Sequence, residues 1–253
     1  MHIDIIFLSY AKNEHLKALT IQSIKTLLAS EDTTKIQFNI LVIESNKALE
    51  PYQFDNTTTI YPNEEFGFNK YLNMGIRASS NRYVCLCNND LIFHKNWASN
   101  ILKALHKYST IYSANPFCDK FNYDERIGYF KQNIILRSKN PELNGGLTGW
   151  CIFVKREIFD IIGLLDEQFT FWYADNDYDL TLKKNNIEHA LIMNSKVTHV
   201  ACTSHDLLGS TLNEMTYGQY LKFQKKWHKK SIIRRALFLI LKKLNLTCNL
   251  LTN

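Results

Sequence analysis

The chain has 253 residues, 45% of them apolar and 13% aromatic. That suffices for one packed domain with an appendage and excludes a disordered chain. The formal charge of +6 is uneven: no acidic residue follows Glu214, yet Lys222, Lys225, Lys226, Lys229, Lys230, Arg234, Arg235, Lys242 and Lys243 do. Taking these nine from the 30 basic residues leaves 21 against 24 acidic ones, so the body is slightly acidic. A basic C-terminal stretch fits an anionic partner, either membrane headgroups or nucleic acid.

The first apolar run, Ile3–Ser9, begins almost at Met1. No signal peptide is therefore expected, and the expected compartment is the cytoplasm, free or against the inner face of the membrane (host cytoplasm if phage-encoded). The run reads as a strand buried on both faces. His15–Ser30 has helical spacing through Leu16, Leu19, Ile24, Leu27 and Leu28. Phe38–Ser45 is a second strand, Phe68–Ser79 a short helix, Arg82–Asn88 a strand and Asn96–Tyr108 a helix. Cys85 and Cys87 alternate along their strand and read as core thiols in a reducing compartment, not as a redox or zinc pair. Residues 116–145 lack a clear period and are expected as loops with a hairpin. Trp150–Val154 reads as a strand, Arg156–Ile162 and Asp177–Lys184 as helices, and His189–Asn194 as a late strand. This alternation predicts a doubly wound α/β fold with a mostly parallel sheet. One domain is expected over 1–212, with halves at about 1–115 and 116–212. A basic amphipathic helical tail is expected over 213–253, spaced on Ile233, Leu237, Ile240 and Leu244. The apolar run Ala236–Leu241 is far too short to span a bilayer.

In doubly wound sheets, ligands bind beyond the carboxyl ends of the strands. Ser9-Tyr10, Glu44-Ser45-Asn46 and Asn88-Asn89-Asp90 stand at three such ends. Asp90 taken alone is a turn residue by preference. Asp175, Asp177 and Asp179 are a stronger signal, since carboxylates at alternate positions repel unless something offsets them. Phe169, Phe171, Trp172 and Tyr173 flank them and would dry the site, raising a carboxylate toward the range of a general base. Asp90 and His199, from separate strand ends, suit a divalent cation with open positions, and oxygen-rich donors favour Mg²⁺ or Mn²⁺.

The order of "SY", "VIES", "FGFNKYLNMGIRAS", "YVCLCNND", "GLTGWCIFVKREIFDIIGLLDEQF", "YADNDYDL" and "VTHV" resembles the GT-A-fold glycosyltransferases of family 2, the rhamnosyltransferase-like group in particular, over residues 3–205. The resemblance implies a metal-dependent, inverting transfer from a nucleotide-sugar donor of the UDP or dTDP type to an acceptor hydroxyl. It implies donor contacts at Ser9, Tyr10, Glu44, Phe66, Gly67, Asn69, Asn73, Asn88, Asn89 and Asp90. Asp90 matches the last Asp of the family's DxD motif, and Asn88 replaces the first. His199 matches a metal-holding His, Asp177 the proposed base, and Trp150 the meeting point of donor and acceptor. Asn176 replaces the Glu of the family's "ED" pair, with Asp175 near enough to compensate at the acceptor side. Asp166 matches a structural turn. The implied acceptor is a surface glycan or lipid-linked saccharide. The alternatives are a phage-type transferase acting on hydroxymethylated DNA bases and a non-catalytic nucleotide-sugar-binding module. A nucleotidyltransferase is disfavoured by the lack of a Gly- and Lys/Arg-rich phosphate loop after the first strand.

Overall fold

The computed structural model describes residues 1–122, 132–141, 143, 146–200 and 214–228. The first half builds β1 (His2–Ser9), α1 (Glu14–Leu28), β2 (Gln37–Glu44), β3 (Thr57–Ile60), α2 (Phe68–Ala78), β4 (Tyr83–Asn88), β5 (Leu91–Phe93) and α3 (Trp97–Lys107). The second half adds β6 (Ile111–Phe117), β7 (Ile134–Leu136), β8 (Cys151–Lys155), α4 (Ile158–Ile162), α5 (Ala174–Lys184), β9 (Glu188–His199) and α6 (Gln219–Trp227). The sheet runs β3-β2-β1-β4-β8-β6-β9-β5, with β7 also on β9. Strands β1 to β4 are mutually parallel, so the polar ends at Ser9, Glu44 and Asn88 share one edge. Strand β8 enters antiparallel between β4 and β6.

The strand period of two sorts the apolar residues onto two faces. Ile3, Ile5 and Phe7 face a layer containing Trp97, Ile101 and Phe153. Ile6 and Leu8 face Tyr71, Leu72 and Ile76 of α2. Helix α2 lies so close that a Cβ on Gly75 would sit 2.4 Å from Ile6 Cγ2.

The strands at the sequence level are extended and supplemented here. Strand β9 is twelve residues long and carries through Thr198 and His199, twice the length that its apolar run implied. Three short strands, β3, β5 and β7, and the seven-residue β6 had no readable period. Strand β6 contains Pro116, which breaks its register against β9 between Pro116 and Phe117. Helix α5 starts at Ala174, three residues earlier than expected, after Tyr173 in the left-handed region at φ 64°. The stretch assigned to the tail begins as α6, docked on the domain through Phe223 against Phe169 and Gln219 Oε1 on Thr170 N–H. The spaced residues from Ile233 to Leu244 lie outside the described residues. No described helix is long and apolar enough to cross a membrane.

The edge of the sheet far from the polar ends is tied by a buried charge. Asp4 is fully buried and accepts from Asn39 Nδ2, Ser80 N–H, Asn81 N–H and Asn81 Nδ2 at 2.6–3.1 Å. Arg156 completes the set at 3.0 Å, while also holding the carbonyls of Ile76 and Asn81. Helix α4 therefore begins at Ile158, after Arg156 has turned inward. Removing one partner of a buried pair leaves an uncompensated charge and costs about 3–5 kcal/mol. Arg156→Met is expected to lose stability of that order in a denaturant titration; an unchanged midpoint would mean that the amide donors alone satisfy Asp4.

Candidate active site

The polar strand ends converge on one cleft, and its floor is already wired. Glu44 is fully buried. Its carboxylate accepts Ala11 N–H at 3.1 Å, Asn46 N–H at 2.8 Å and Tyr52 O–H at 3.1 Å. One side chain thus fixes the loops after β1 and β2. Ser9 Oγ lies 3.0 Å from Thr20 Oγ1 and 3.3 Å from Tyr52 Oη. Asn89 Nδ2 donates to Thr20 Oγ1 at 2.7 Å and to Ser9 Oγ at 3.4 Å. Burial pushes the Tyr52 hydroxyl up to about 12, so it stays a donor at neutral pH. Tyr10 is the outward member, half exposed, with Lys12 Nζ 4.5 Å from its ring centre.

Beyond this floor, Asp90 Oδ1 stands 3.0 Å from His199 Nε2. The backbone forces the meeting: β5 pairs Leu91 with His199, and Val200 N–H donates to Asp90 O at 2.9 Å. Asn88 Nδ2 lies 3.5 Å from the same ring nitrogen. Rotation of this amide by half a turn brings its carbonyl oxygen there instead. The His199 ring stacks on Trp150 (5.7 Å, 19°) and leans on Phe121 (4.5 Å). His199 Nδ1, Trp150 Nε1 and Thr148 Oγ1 are buried and have no hydrogen-bond partner among the described residues. Buried polar groups are rarely left so, and orphans of this kind mark places where a ligand belongs.

These donors fit a divalent cation. Two ligands at about 2.1 Å in cis positions of an octahedron lie about 3.0 Å apart. That matches the separation of Asp90 Oδ1 from His199 Nε2. Carboxylate, imidazole and amide carbonyl are also the donors that Mn²⁺ and Mg²⁺ accept.

Helix α5 splits its three carboxylates. Residues four apart share a helix face, and residues two apart face nearly opposite ways. Asp175 meets Gly149, where an added Cβ would lie 3.2 Å from Asp175 Cβ, and it accepts that residue's N–H. Gly149 precedes Trp150, whose carbonyl accepts Asn88 N–H at 2.9 Å. Asp175 thus stands beside the Asn88–Trp150–His199 group. Asp179 shares its face and is held by Arg137 at 2.9 Å. Asp177 points to the other side, where Oδ1 accepts Trp227 Nε1–H at 2.7 Å and sits 2.7 Å from Lys226 Nζ. Lys226 bridges on to Asp166 Oδ2 at 2.7 Å. A cavity of ≈ 310 Å³ opens on this side, with Asn69, Leu165, Asp166, Asp177, Thr181 and Lys226 in its wall.

The structure therefore brings Ser9, Tyr10, Glu44, Asn88, Asn89, Asp90, Trp150, Asp175 and His199 to one edge. Phe66 and Gly67 head α2, where Phe66 is exposed on Tyr71 and Gly67 is the N-cap. Asn69 and Asn73 are not at that edge. They lie one helical turn apart on the inner face of α2 and are spent on the 165–167 turn, through Asp166 O, Leu165 O and Glu167 Oε1. Thr20, Tyr52, Gly149 and Thr148 join the cleft unannounced by any sequence pattern, and so do Lys226 and Trp227 at Asp177. Only "LTGW" carried a hint, through its Gly before a strand.

A family model described as glycosyl transferase family 2 matches residues 10–163. No curated protein sequence matches the chain. Among solved structures, the chain is similar to GalNAc-T7 with UDP, GalNAc and Mn²⁺, at 11% identity and TM-score 0.66, over 90% of this chain and 49% of that one. It is also similar to the mannosyltransferase PcManGT from Pyrobaculum calidifontis in complex with GDP-Man and Mn²⁺, at 13% identity and TM-score 0.56, over 80% of this chain and 57% of that one. The chain spans about half the length of these two proteins. At such identities the likeness establishes the fold.

Burial raises the Asp175 carboxyl above its ordinary value of 3.8. The folded chain thus holds this proton more tightly than the unfolded chain. The stability it contributes is fully present below the ordinary value and is lost as pH rises through the folded one. Asp175→Asn is expected to be the more thermostable chain at neutral pH, with the gain vanishing in acid. A variant no more stable than wild type across that whole range would show that Asp175 is not strained by burial.

Proposed function

Because this chain belongs to glycosyl transferase family 2, we propose that it moves a sugar from a nucleoside-diphosphate donor to an acceptor hydroxyl, with inversion at the anomeric carbon. The observation that carries this reading is the convergence of Asp90 and His199 at the carboxyl edge of the parallel strands, beside buried polar atoms with no partner among the described residues. That the two solved relatives hold a nucleotide or nucleotide sugar together with Mn²⁺ accords with it.

A cation held by Asp90, His199 and the Asn88 carbonyl would offset the charge that develops on the leaving diphosphate. The protein's own groups supply the rest. Glu44 and Tyr52 keep the loops after β1 and β2 in one shape, so the donor pocket needs no reordering on binding. Tyr10 offers an exposed ring at the rim for a flat base. Trp150 stacks on His199, walls the reacting centre and excludes water. The acceptor proton goes to a carboxylate of α5. Burial raises the affinity of both Asp175 and Asp177 for a proton. The order of motifs points to Asp177, and the geometry favours Asp175, which packs against Gly149 beside Trp150. Asp177 would first have to shed Lys226 and Trp227. One base without a second carboxylate nucleophile agrees with a single displacement. The preferred acceptor is a saccharide on an anionic lipid carrier, because the cations after Glu214 other than Lys226, which Asp166 and Asp177 hold, would keep the enzyme at such a surface.

A screen of UDP-, dTDP- and GDP-sugars with and without Mn²⁺ tests the donor class, since a ligand that binds only the folded chain raises the melting temperature, the more so the further its concentration exceeds Kd. One donor is expected to do so only with metal in wild type, and not at all in Asp90→Asn. Absence of a shift with every donor would remove the reading. Asp175→Asn is expected to lower turnover by about 10²–10⁴-fold with donor binding intact. The reverse ranking, with Asp177→Asn the dead variant, would return the base to Asp177. Transfer to modified DNA rather than to lipid-linked saccharide would identify the other acceptor.

A further inference from the structure

Three thiols meet in the core directly beneath the cleft. Cys85 and Cys87 are two residues apart on β4 and project from one face. Strand β8 runs antiparallel beside them with Cys151 opposite Cys87. The Sγ atoms are separated by 3.4 Å (Cys85–Cys87), 3.6 Å (Cys85–Cys151) and 3.9 Å (Cys87–Cys151). All three are buried and free. Among the described residues, they are the one group of three or more metal-ligating side chains of this kind whose donor atoms all approach so closely.

The shape of this triangle is informative. Its three sides place every sulfur about 2.1 Å from a common centre. Zinc–thiolate bonds of about 2.3 Å in a tetrahedron need three sulfurs about 3.75 Å apart, on a circle of about 2.2 Å radius. The thiols already match that base, and an ion just above their plane would require sulfur shifts of only a few tenths of an ångström. The backbone enforces the arrangement, because cross-strand pairing and alternation fix which way each side chain points.

We propose that Cys85, Cys87 and Cys151 bind one thiophilic d¹⁰ cation, Zn²⁺. Three thiolates select soft ions, whereas the carboxylate, amide and imidazole near His199 suit hard ones. The two sites therefore sort different metals within one edge of the sheet. The soft site also has a mechanical consequence. Cys87 precedes Asn88, and Cys151 follows Trp150. An ion there would clamp β4 to β8 at the end that presents both of those residues to the cleft.

Cobalt separates the two sites, because only sulfur ligands give an intense sulfur-to-cobalt charge-transfer band in the near ultraviolet. The full chain, reduced and freed of metal, is titrated with Co²⁺ under anaerobic conditions. One equivalent is expected to produce the band, and Zn²⁺ is expected to abolish it. Asp90→Asn is expected to keep it, as is Cys118→Ala, while Cys151→Ala and Cys85→Ala lose it. No band in wild type, or a band that survives Cys151→Ala, overturns the proposal. Should both cysteine variants misfold, elemental analysis of the Asp90→Asn chain after incubation with Zn²⁺ and desalting decides: about one zinc per chain supports the site, and none overturns it.

Discussion

The pairing of Leu91 with His199 is the constraint on which the cleft depends. Strand β5 is only three residues long, yet it follows Asp90 at once, and its partner is the last residue of β9. This register brings together two residues 109 positions apart in sequence. Side chains alternate along a strand, so a slip by one residue would turn His199 to the opposite face and replace it with Thr198 or Val200. No side-chain contact could repair that error. The two aromatic neighbours, Trp150 and Phe121, then hold the ring in plane and remove its rotational freedom. Side chains that are ordered before a ligand arrives avoid the entropic cost of ordering them afterwards.

The cleft is built from two kinds of polar group. Those below, such as Glu44, Ser9 and Asn89, have their hydrogen bonds completed within the protein. Those beside His199, such as Trp150 Nε1 and Thr148 Oγ1, have no partner among the described residues. The first group makes the second affordable, since a buried polar atom without a partner costs about 1–3 kcal/mol. A second network secures the segment that carries these orphans. Tyr178 O–H donates to Ser113 Oγ, Ser113 bonds His189 Nδ1, and His189 Nε2 meets Asn115 Oδ1. Asn115 in turn holds Thr148 through both its N–H and its carbonyl. Burial pulls His189 down to about 3, so the ring is neutral and each nitrogen has one defined role.

Much of this was legible from the amino acids, for identifiable reasons. The parallel strands of the first half are continuous apolar runs, and their polar terminal residues announced the binding edge. Asp90 could be named because it follows a readable run, whereas His199 lies five residues beyond the run His189–Asn194 and could be named by its place in the order of motifs. What stayed hidden depended on distant register or on helix phase. Strand β6, with Ser113, Asn115 and Pro116, looks like a loop because its polar residues are satisfied by tertiary partners. Asn69 and Asn73 match a motif by position, but their one-turn spacing on α2 directs both inward. Asp175, Asp177 and Asp179 formed one cluster in the sequence. The true start of α5 at Ala174 fixes their phase and divides them among three different environments.

The contact of α6 with Asp177 bears on where the folding unit stops. A boundary at residue 212 would sever Lys226 and Trp227 from a carboxylate that is 3% exposed. It would also strip Phe223 from Phe169 and Gln219 from Thr170. A shortened gene product ending there would carry a raw hydrophobic scar and an acid with no counterion. The self-sufficient unit extends at least through Trp227, and the basic stretch that follows is anchored to it by a helix that is itself part of the architecture.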